Sequence, residues 1–463
     1  MIFSSLLFLF AFLPAVLITY YVLPHRFRNL CLFLFSLVFY AWGEPVYVFL
    51  MLFSTLVDYA NGYMVNKYRE RKNVAKVFMI LSICINLSLL GFFKYSPLLV
   101  NTFNSITGLA VPVPAVVLPI GISFYTFESM SYTIDIYRNK APYQKNIIDF
   151  GAYISFFPHL VAGPIVRYED LAFQIRNRKE SFVLFTEGAQ RFLIGLFKKV
   201  IIANNVAPLA DRVQYMGDPS ALSAWLGILA FTFQIYFDFS GYSDMAIGLG
   251  RMFGFVIPEN FNYPYISRSV SEFWRRWHIT LSNWFKEYLY FPLGGSRKGT
   301  LRTVRNLAIV WVLTGIWHGA SWNFAIWGAY FGILIILEKF FLQKWLDRLP
   351  KFFSWLYSFA AVVIGWVFFS YTDIGKAFKV LGAMFGFAPG ADNLGLYSLL
   401  TFAPILLIAA VCSAPIVNRL SEKLRTGNTA GKIVWVICFT ALFAVSLTFL
   451  VDNSYNPFLY FRF

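Results

Sequence analysis

One histidine lies in a stretch of the chain whose other residues favour hydrocarbon surroundings. In TGIWHGASWNFAIWG, residues 314–328, His318 is the only ionisable side chain, and its neighbours are aromatic, aliphatic or small. An ionisable residue placed within a membrane is costly, so its default interpretation is functional. Because imidazole titrates near neutral pH, His318 could take a proton from a substrate and return it. The alternative is a buried, hydrogen-bonded histidine with a structural role.

The other three histidines have different surroundings. His278 lies in FWRRWHITLSNWF, where an interfacial histidine among Trp and Arg side chains fits as well as a catalytic one. His159 follows Pro158 and could line a cavity, whereas His25, beside Arg26, is expected to be solvated. No HxxxH or HExxH spacing occurs, and the four cysteines are scattered through apolar segments. The sequence therefore predicts neither a metal site nor a disulfide.

Carboxylates occur in a second apolar stretch, FQIYFDFSGYSDMAIG, residues 233–248. At helical spacing Asp238 faces Tyr242, and Ser240 faces Asp244. Unpaired carboxylates would be too costly at that depth, so we expect both to be hydrogen-bonded or protonated. The favoured interpretation is a structural polar network that holds helices together.

The composition is that of a membrane protein. Hydrophobic residues make up 58% of the 463 residues and charged residues only 13%, against about a quarter charged in soluble proteins. Apolar runs of roughly 18 residues or more are long enough to cross a bilayer. The net charge of +16 comes from short basic clusters between these runs, which is typical of positive-inside topology and not of a nucleic-acid interface. The first charged side chains, Arg26 and Arg28, follow the first apolar run. This order predicts a membrane span that is retained, with the N-terminus outside the cell.

An all-α polytopic protein with a single integral membrane domain over residues 1–463 follows from this pattern. The basic segments 25–28, 66–76 and 138–145 are each separated by two crossings, which predicts that all three are cytoplasmic. The predicted transmembrane helices, about eleven, cover residues 3–23, 29–42, 46–64, 77–93, 116–136, 183–205, 223–250, 304–336, 353–371, 396–417 and 432–451.

Two segments are not predicted to be simple crossings. Residues 147–166 are apolar but have basic residues on both sides, and Pro158, Gly163 and Pro164 would break a helix. We expect this segment to enter the membrane and return, lining a cavity. Residues 266–299 mix Trp with Arg and Lys, which predicts a helix at the level of the cytoplasmic head groups.

The apolar stretch 304–336 is too long for one crossing. A helix of about 33 residues would extend about 50 Å, beyond a hydrocarbon core of about 30 Å. Its glycines predict close helix contacts or a break, and place His318 near the middle of the bilayer. These glycines are Gly315, Gly319, Gly328 and Gly332.

Several segments together resemble the membrane-bound O-acyltransferase (MBOAT) family, in particular its bacterial branch of alginate and peptidoglycan O-acetyltransferase membrane subunits. The resemblance covers most of the length and implies a ring of helices around a central funnel that opens to the cytoplasm. The segments are SFYTFESMSYTIDIYR (123–138), FFPHLVAGPIVRY (156–168), FDFSGYSDMAIGLG (237–250), NFNYPYISRSVSEFWRRWHITLSNWFKEYLYFPLGG (260–295), TGIWHGASWNFAIWG (314–328) and NPFLYFRF (456–463).

The resemblance also implies a chemistry. His318 matches the family's catalytic histidine and His278 its second characteristic polar position. The implied donor is cytoplasmic acetyl-CoA, with no metal. The acetyl group would pass through the cell membrane to an extracytoplasmic SGNH-type or lipoprotein-like acyltransferase, which modifies a cell-surface or exported polysaccharide. The candidates for binding the CoA phosphates are Arg275, Arg276, Lys286, Arg297 and Lys298.

Tyr460 adds a hypothesis about the route. In NPFLYFRF it resembles the terminal tyrosine of related acyl-relay systems, in which the phenol carries the acyl group between sites. A phenol of pKa about 10 is a better leaving group than a sugar hydroxyl, so its ester stays activated. The alternative is an aromatic anchor at the membrane interface.

Two other functions compete with acetyl transfer. A D-alanyl transferase of the teichoic-acid system would share the histidine but would take a carrier-protein thioester. A proton-coupled transporter could also use intramembrane His and Asp residues. Transporters often contain internal repeats, and the sequence shows none.

Overall fold

The computed structural model describes residues 1–452 and residue 459, and the regular structure of this part of the chain is helical. No strand occurs among these residues. The all-α class predicted from the sequence is confirmed.

Eight helical stretches are long and apolar enough to cross a membrane, counted over the described residues. They correspond to eight of the eleven predicted spans and cover Tyr47–Lys67, Lys72–Thr107, Phe182–Gln214, Ala221–Met252, Trp322–Leu346, Lys351–Ser370, Asn393–Cys412 and Thr429–Asp452. The other three predicted spans are shorter helices: Phe8–Val22, which begins with a π-helical turn, and two α-helices of 14 and 16 residues. A helix rises about 1.5 Å per residue, so each falls short of a full hydrocarbon core.

The chain divides into two compact units, and the first comprises Met1–Phe192 and Ser243–Glu259. Its helices are α1 (Leu13–Val22), α2 (Arg28–Ala41), α3 (Tyr47–Lys67), α4 (Lys72–Leu90), α5 (Ser96–Thr107), α6 (Ile122–Tyr137), α7 (Ile147–Ser155), α8 (Phe157–Leu160), α9 (Tyr168–Leu171) and α10 (Gln174–Asn177). In this unit α3 packs against α4 and α6, and α2 packs against α7.

Residues 147–166 return to the side from which they start. The segment breaks at Phe156, between α7 and α8, immediately before the proline-containing turn. Lys140, which precedes the segment, lies 3.8 Å from the carboxylate of Glu169, which follows it. The two flanking basic loops therefore meet, as the prediction of an entering and returning element requires. A cavity along this element stays a prediction.

Three helices follow along the chain. They are α11 (Phe182–Phe197), α12 (Asn204–Gln214) and α13 (Ala221–Met252). A π-helical turn, Lys198–Ala203, joins α11 to α12 without a break. The polar residues of the apolar stretch 233–248 all lie on one long helix, α13.

The second unit comprises Leu193–Tyr242 and Asn260–Phe463. Both candidate histidines belong to it, His278 between two short helices and His318 at the end of a longer one. The remaining helices are α14 (Val270–Arg276), α15 (Ile279–Phe285), α16 (Thr300–His318), α17 (Trp322–Leu337), α18 (Gln343–Leu346), α19 (Lys351–Ser370), α20 (Ile374–Met384), α21 (Asn393–Cys412), α22 (Ile416–Thr426) and α23 (Thr429–Asp452).

The long stretch 304–336 forms a helical hairpin with its break directly after His318. Helix α16 ends there, Gly319 is extended, and α17 begins at Trp322. The two helices cross closely: a Cβ added at Gly315 would lie only 3.0 Å from the Cα of Gly328. Both predicted features, the close helix contact and the break, are therefore present.

The segment 266–299 was predicted as one helix but is divided into two, and its level in the membrane stays a prediction. It forms α14 and α15, and three of its tryptophans are buried inside the protein. Trp274, for example, packs its ring 4.8 Å from that of Trp311. The aromatic residues that suggested lipid contact instead build the core of the second unit.

Candidate active site

His318 is held in one orientation by the helix that carries it. Its Nδ1 lies 2.7 Å from the carbonyl oxygen of Thr314, one turn earlier in α16. A carbonyl only accepts, so Nδ1 carries the proton and the lone pair of the neutral ring lies on Nε2. The geometry therefore sets the tautomer that a general base needs.

Aromatic rings surround this imidazole. The ring centroids of Trp317, Trp327 and Phe369 lie 5.0, 4.8 and 5.7 Å from that of His318. Trp327 is fully buried, whereas His318 keeps 6% of its surface accessible. Such apolar walls strengthen electrostatic interactions within the site and keep bulk water away from a reactive ester.

His278 occupies a strained backbone position. Its φ of 44° and ψ of 53° are left-handed, which costs a non-glycine residue roughly 1–2 kcal/mol. Strain of this kind persists where the surroundings impose it and is concentrated at functional sites. The conformation turns the chain between α14 and α15 and places the imidazole in the interior, where it is 1% exposed.

Asn260 imposes this conformation. Its backbone carbonyl accepts a hydrogen bond from the amide of Ile279 at 3.0 Å. Its side-chain oxygen lies 3.1 Å from Nδ1 of His278 and also accepts from the hydroxyl of Thr280 at 3.0 Å. Asn260 therefore fixes both the backbone and the tautomer of His278. Asn260 is the first residue of the segment 260–295, which resembles the family, but no pattern in the sequence distinguished it from its neighbours.

The two histidines are close to one another in the second unit. The ring of Trp317 contacts that of His318, and its centroid lies 6.2 Å from that of His278. Burial, reinforced by the nearby His318, lowers the pKa of the His278 imidazole well below its ordinary value. His278 is therefore neutral at physiological pH. Two imidazoles from separate segments thus form one candidate acid–base site.

The five basic candidates divide into two groups. Arg276 is engaged within the protein, since it pairs with Glu272 at 2.9 Å and donates to the carbonyl of Asn262. The other four side chains are exposed, as phosphate-binding groups must be before a ligand arrives. They are Arg275, Lys286, Arg297 and Lys298.

The glycine-containing loop that carries two of these basic residues has a defined conformation. Gly294, Gly295 and Gly299 have positive φ angles, which only glycine adopts without strain. The buried amide of Asn306 in α16 donates to the carbonyls of Leu293 and Gly295. This loop is therefore attached to the helix that ends at His318.

The carboxylates of α13 have cationic partners, which the sequence analysis did not assign. In the second unit Asp238 pairs with Lys199 at 2.7 Å, and both side chains are almost fully buried. In the first unit Asp244 pairs with Arg191 at 2.6 Å. The sequence did contain a signal for the first of these pairs, because Lys199 lies inside the apolar run 183–205 and needs an anionic partner there. The expectation that neither carboxylate is left unpaired is confirmed.

His159 has a carboxylate partner in the first unit. Its Nδ1 lies 2.9 Å from Glu128 of α6, and both side chains are fully buried. Glu128 also accepts a hydrogen bond from the amide of Val166, which ties α6 to the far end of the returning segment. Tyr460 lies outside the described residues, although the preceding residue, Leu459, is described.

Fold and site together define a class. A chain of many apolar helices, with two buried imidazoles beside aromatic rings, is a multi-pass membrane protein with a candidate internal site for acid–base chemistry. Among the described residues no group of three or more His, Cys, Asp or Glu side chains is placed to hold a metal ion.

Comparison of the sequence with models of known protein families identifies one family. Residues 34–374 match the model of the membrane-bound O-acyltransferase family, so the chain belongs to this family. The protein is a membrane O-acyltransferase and uses an acyl donor as a substrate. It is a multi-pass protein of the bacterial cell membrane.

Relatives match the chain along its whole length. A probable alginate O-acetylase of Azotobacter vinelandii is 41% identical, over 100% of both chains. A protein of the same description from Pseudomonas putida is 42% identical, again over 100% of both. A peptidoglycan O-acetyltransferase of Helicobacter pylori is 33% identical over 100% of this chain and 98% of its own.

Proposed function

We propose that the protein takes acetyl groups from cytoplasmic acetyl-CoA and passes them across the membrane for O-acetylation of an exported or cell-surface polysaccharide. Relatives named as alginate and peptidoglycan O-acetyltransferases support acetyl as the group and a polysaccharide as the acceptor. Their full-length similarity favours acetyl over D-alanyl transfer. Membership in an acyltransferase family favours an enzyme over a transporter.

The hydrogen bond from His318 to Thr314 carries the mechanism. With the proton on Nδ1, Nε2 takes the proton of an incoming hydroxyl while its oxygen attacks the thioester carbonyl. The tetrahedral intermediate then collapses, the carbon–sulfur bond breaks, and the imidazolium returns that proton to the CoA thiolate. The products are an oxygen ester and CoA-SH, with His318 again neutral.

His278 assists this step as a neutral group. Its Nδ1 proton is directed at Asn260, so its Nε2 is a second acceptor, to which the hydroxyl donates as it enters the site, before that same proton is directed to His318. Because burial and His318 keep His278 uncharged, it does not suppress the transient positive charge on His318. The two imidazoles therefore have different roles, one transferring the proton and one orienting the nucleophile.

The donor and the partner complete the proposal. The exposed basic residues Arg275, Lys286, Arg297 and Lys298 bind the phosphates of CoA, with the loop attached to Asn306 presenting the last two. The acetyl group reaches an extracytoplasmic SGNH-type or lipoprotein-like acyltransferase. In this route the Tyr460 phenol is the first acceptor: it loses its proton to His318 and carries the acetyl group as an ester.

Acetyl transfer by purified protein tests the catalytic step. With radiolabelled acetyl-CoA and the acyltransferase encoded beside it, His318→Ala should lower turnover by about 10²–10⁴-fold, since the base is lost. His25→Ala, at an exposed turn, is the matched control and should leave turnover unchanged. Full activity of His318→Ala would refute the proposal.

Intact-mass analysis tests the relay separately. Donor-loaded protein should gain the mass of one acetyl group, and Tyr460→Phe, which lacks the phenol, should not. An unmodified parent protein under trapping conditions would exclude the relay, but it would leave direct transfer to the partner in place.

A further inference from the structure

Asp238 connects the middle of α13 to the last described residue of the chain. One carboxylate oxygen pairs with the Lys199 ammonium at 2.7 Å. The other accepts a hydrogen bond from the backbone amide of Leu459 at 2.8 Å, across a separation of 221 residues. A single side chain therefore joins two membrane-spanning stretches of the second unit to a segment far along the sequence.

This connection is costly to build within a membrane. Asp238 and Lys199 lie in stretches apolar enough to span the bilayer, and their side chains are only 3% and 2% exposed. A buried ion pair gives little net stability, because desolvation offsets the attraction between the charges. Ionisable groups at such depth are by default functional. A carboxylate acceptor makes a stronger hydrogen bond to an amide than a neutral oxygen does.

The side chain of Leu459 provides a second contact. It is 4% exposed and belongs to the hydrophobic core cluster of the second unit. Trp327 and Phe369, which line His318, belong to the same cluster. The hydrogen bond and the apolar contact thus hold Leu459 in the same hydrophobic core to which two of the rings around the candidate base belong.

We propose that Asp238 is a positioning residue: with Lys199 it anchors the chain at Leu459 in the core of the second unit, directly before the tyrosine that would accept the acetyl group. The inference rests on the proposed function, because Tyr460 needs such positioning only if it accepts the acetyl group.

The anchor can be removed without leaving a buried charge. Replacing a buried ion pair by apolar residues of similar volume is often neutral or stabilising, so the double variant Asp238→Leu/Lys199→Met should fold. Asp238→Asn is a second variant that keeps an acceptor atom but loses the charge. The matched control is Asp218→Leu/Lys379→Met, an exposed Asp–Lys pair of the same unit.

Thiol labelling reports on the anchor independently of catalysis. Leu459→Cys is introduced into a cysteine-free protein, and its reaction with N-ethylmaleimide in detergent is timed. The parent should react slowly, and the anchor-free double variant at least about tenfold faster, because release exposes residue 459. Asp238→Asn should be intermediate, and the control should match the parent. The native cysteines to be replaced are Cys31, Cys84, Cys412 and Cys438.

Acetyl transfer is measured in parallel with Leu459 intact. Faster labelling together with lost transfer supports the inference, provided that size-exclusion profile and melting temperature match the parent. Labelling at the parent rate in the anchor-free variant overturns it. Faster labelling with undiminished transfer overturns the positioning role but leaves the acetyltransferase itself in place. Because labelling needs no turnover, a parent protein without transfer activity would count against the proposed function alone.

Discussion

At the scale of single residues, two hydrogen bonds give the histidines their chemistry. His318 donates from Nδ1 to the Thr314 carbonyl, and His278 donates from Nδ1 to Asn260. Each bond leaves a neutral ring with its lone pair on Nε2. The groups that determine the tautomers, a backbone carbonyl and a side-chain amide oxygen, are thus neither acids nor bases, and a search for ionisable residues passes over them.

Asn260→Ala should lower turnover without emptying the site of either histidine. The left-handed turn at His278 loses its support, and a misplacement of about 1 Å costs up to about 10²-fold. Turnover and KM for acetyl-CoA are measured separately, with the fall expected in turnover. Asn262→Ala, an exposed asparagine two residues on, is the control, and an equal loss there would contradict a specific role for Asn260.

At the scale of elements, the hairpin of α16 and α17 determines where His318 lies. The break after His318 ends the helix at the imidazole, and the close crossing at Gly315 and Gly328 keeps Trp327 of α17 against its ring. A continuous helix through residues 304–336 would direct these two rings to different neighbours. The glycines are therefore part of the site, although they perform no chemistry.

Gly315→Ala should destabilise the hairpin. Its new methyl group would meet the Phe324 carbonyl and the Gly328 backbone, neither of which can rotate away, and overpacking typically costs about 1–3 kcal/mol. A detergent titration measures the free energy of unfolding. Gly91→Ala, where an added Cβ meets nothing within 4 Å, should be neutral. Comparable stability of both variants would show that the crossing is loose.

At the scale of the molecule, topology follows from the basic segments and the returning element. The contact between Lys140 and Glu169 brings the loops on both sides of residues 147–166 together. Both loops must then face the same compartment, and their positive charge predicts that this compartment is the cytoplasm.

Cysteine accessibility tests this topology in a cysteine-free background. Lys72→Cys, Lys145→Cys and Lys179→Cys, all at exposed positions, should react with an impermeant maleimide only after the membrane is opened. Val113→Cys, which is 42% exposed and one crossing away, should react on intact spheroplasts. Labelling of positions 145 and 179 from opposite faces would exclude a returning segment.

The sequence by itself determined the class, because composition and the length of apolar runs depend on the bilayer and not on detailed packing. It also singled out His318 as an ionisable side chain within an apolar stretch. The glycines of residues 304–336 likewise predicted a close helix contact or a break. Residues 29–42 and 116–136 were predicted as spans because hydropathy reports apolarity, whereas the length of a helix depends on where its neighbours let it end.

Only the tertiary structure decided the partners. Lys199 meets Asp238, Glu128 meets His159, and Asn260 orients His278 across gaps of many residues. Periodicity relates residues within one helix, but ion pairs and side-chain hydrogen bonds depend on atoms placed within about 3 Å by packing between helices. The tryptophans of residues 266–299 show the same limit: their amphipathic composition fits lipid head groups and a protein core equally well, and packing selected the core.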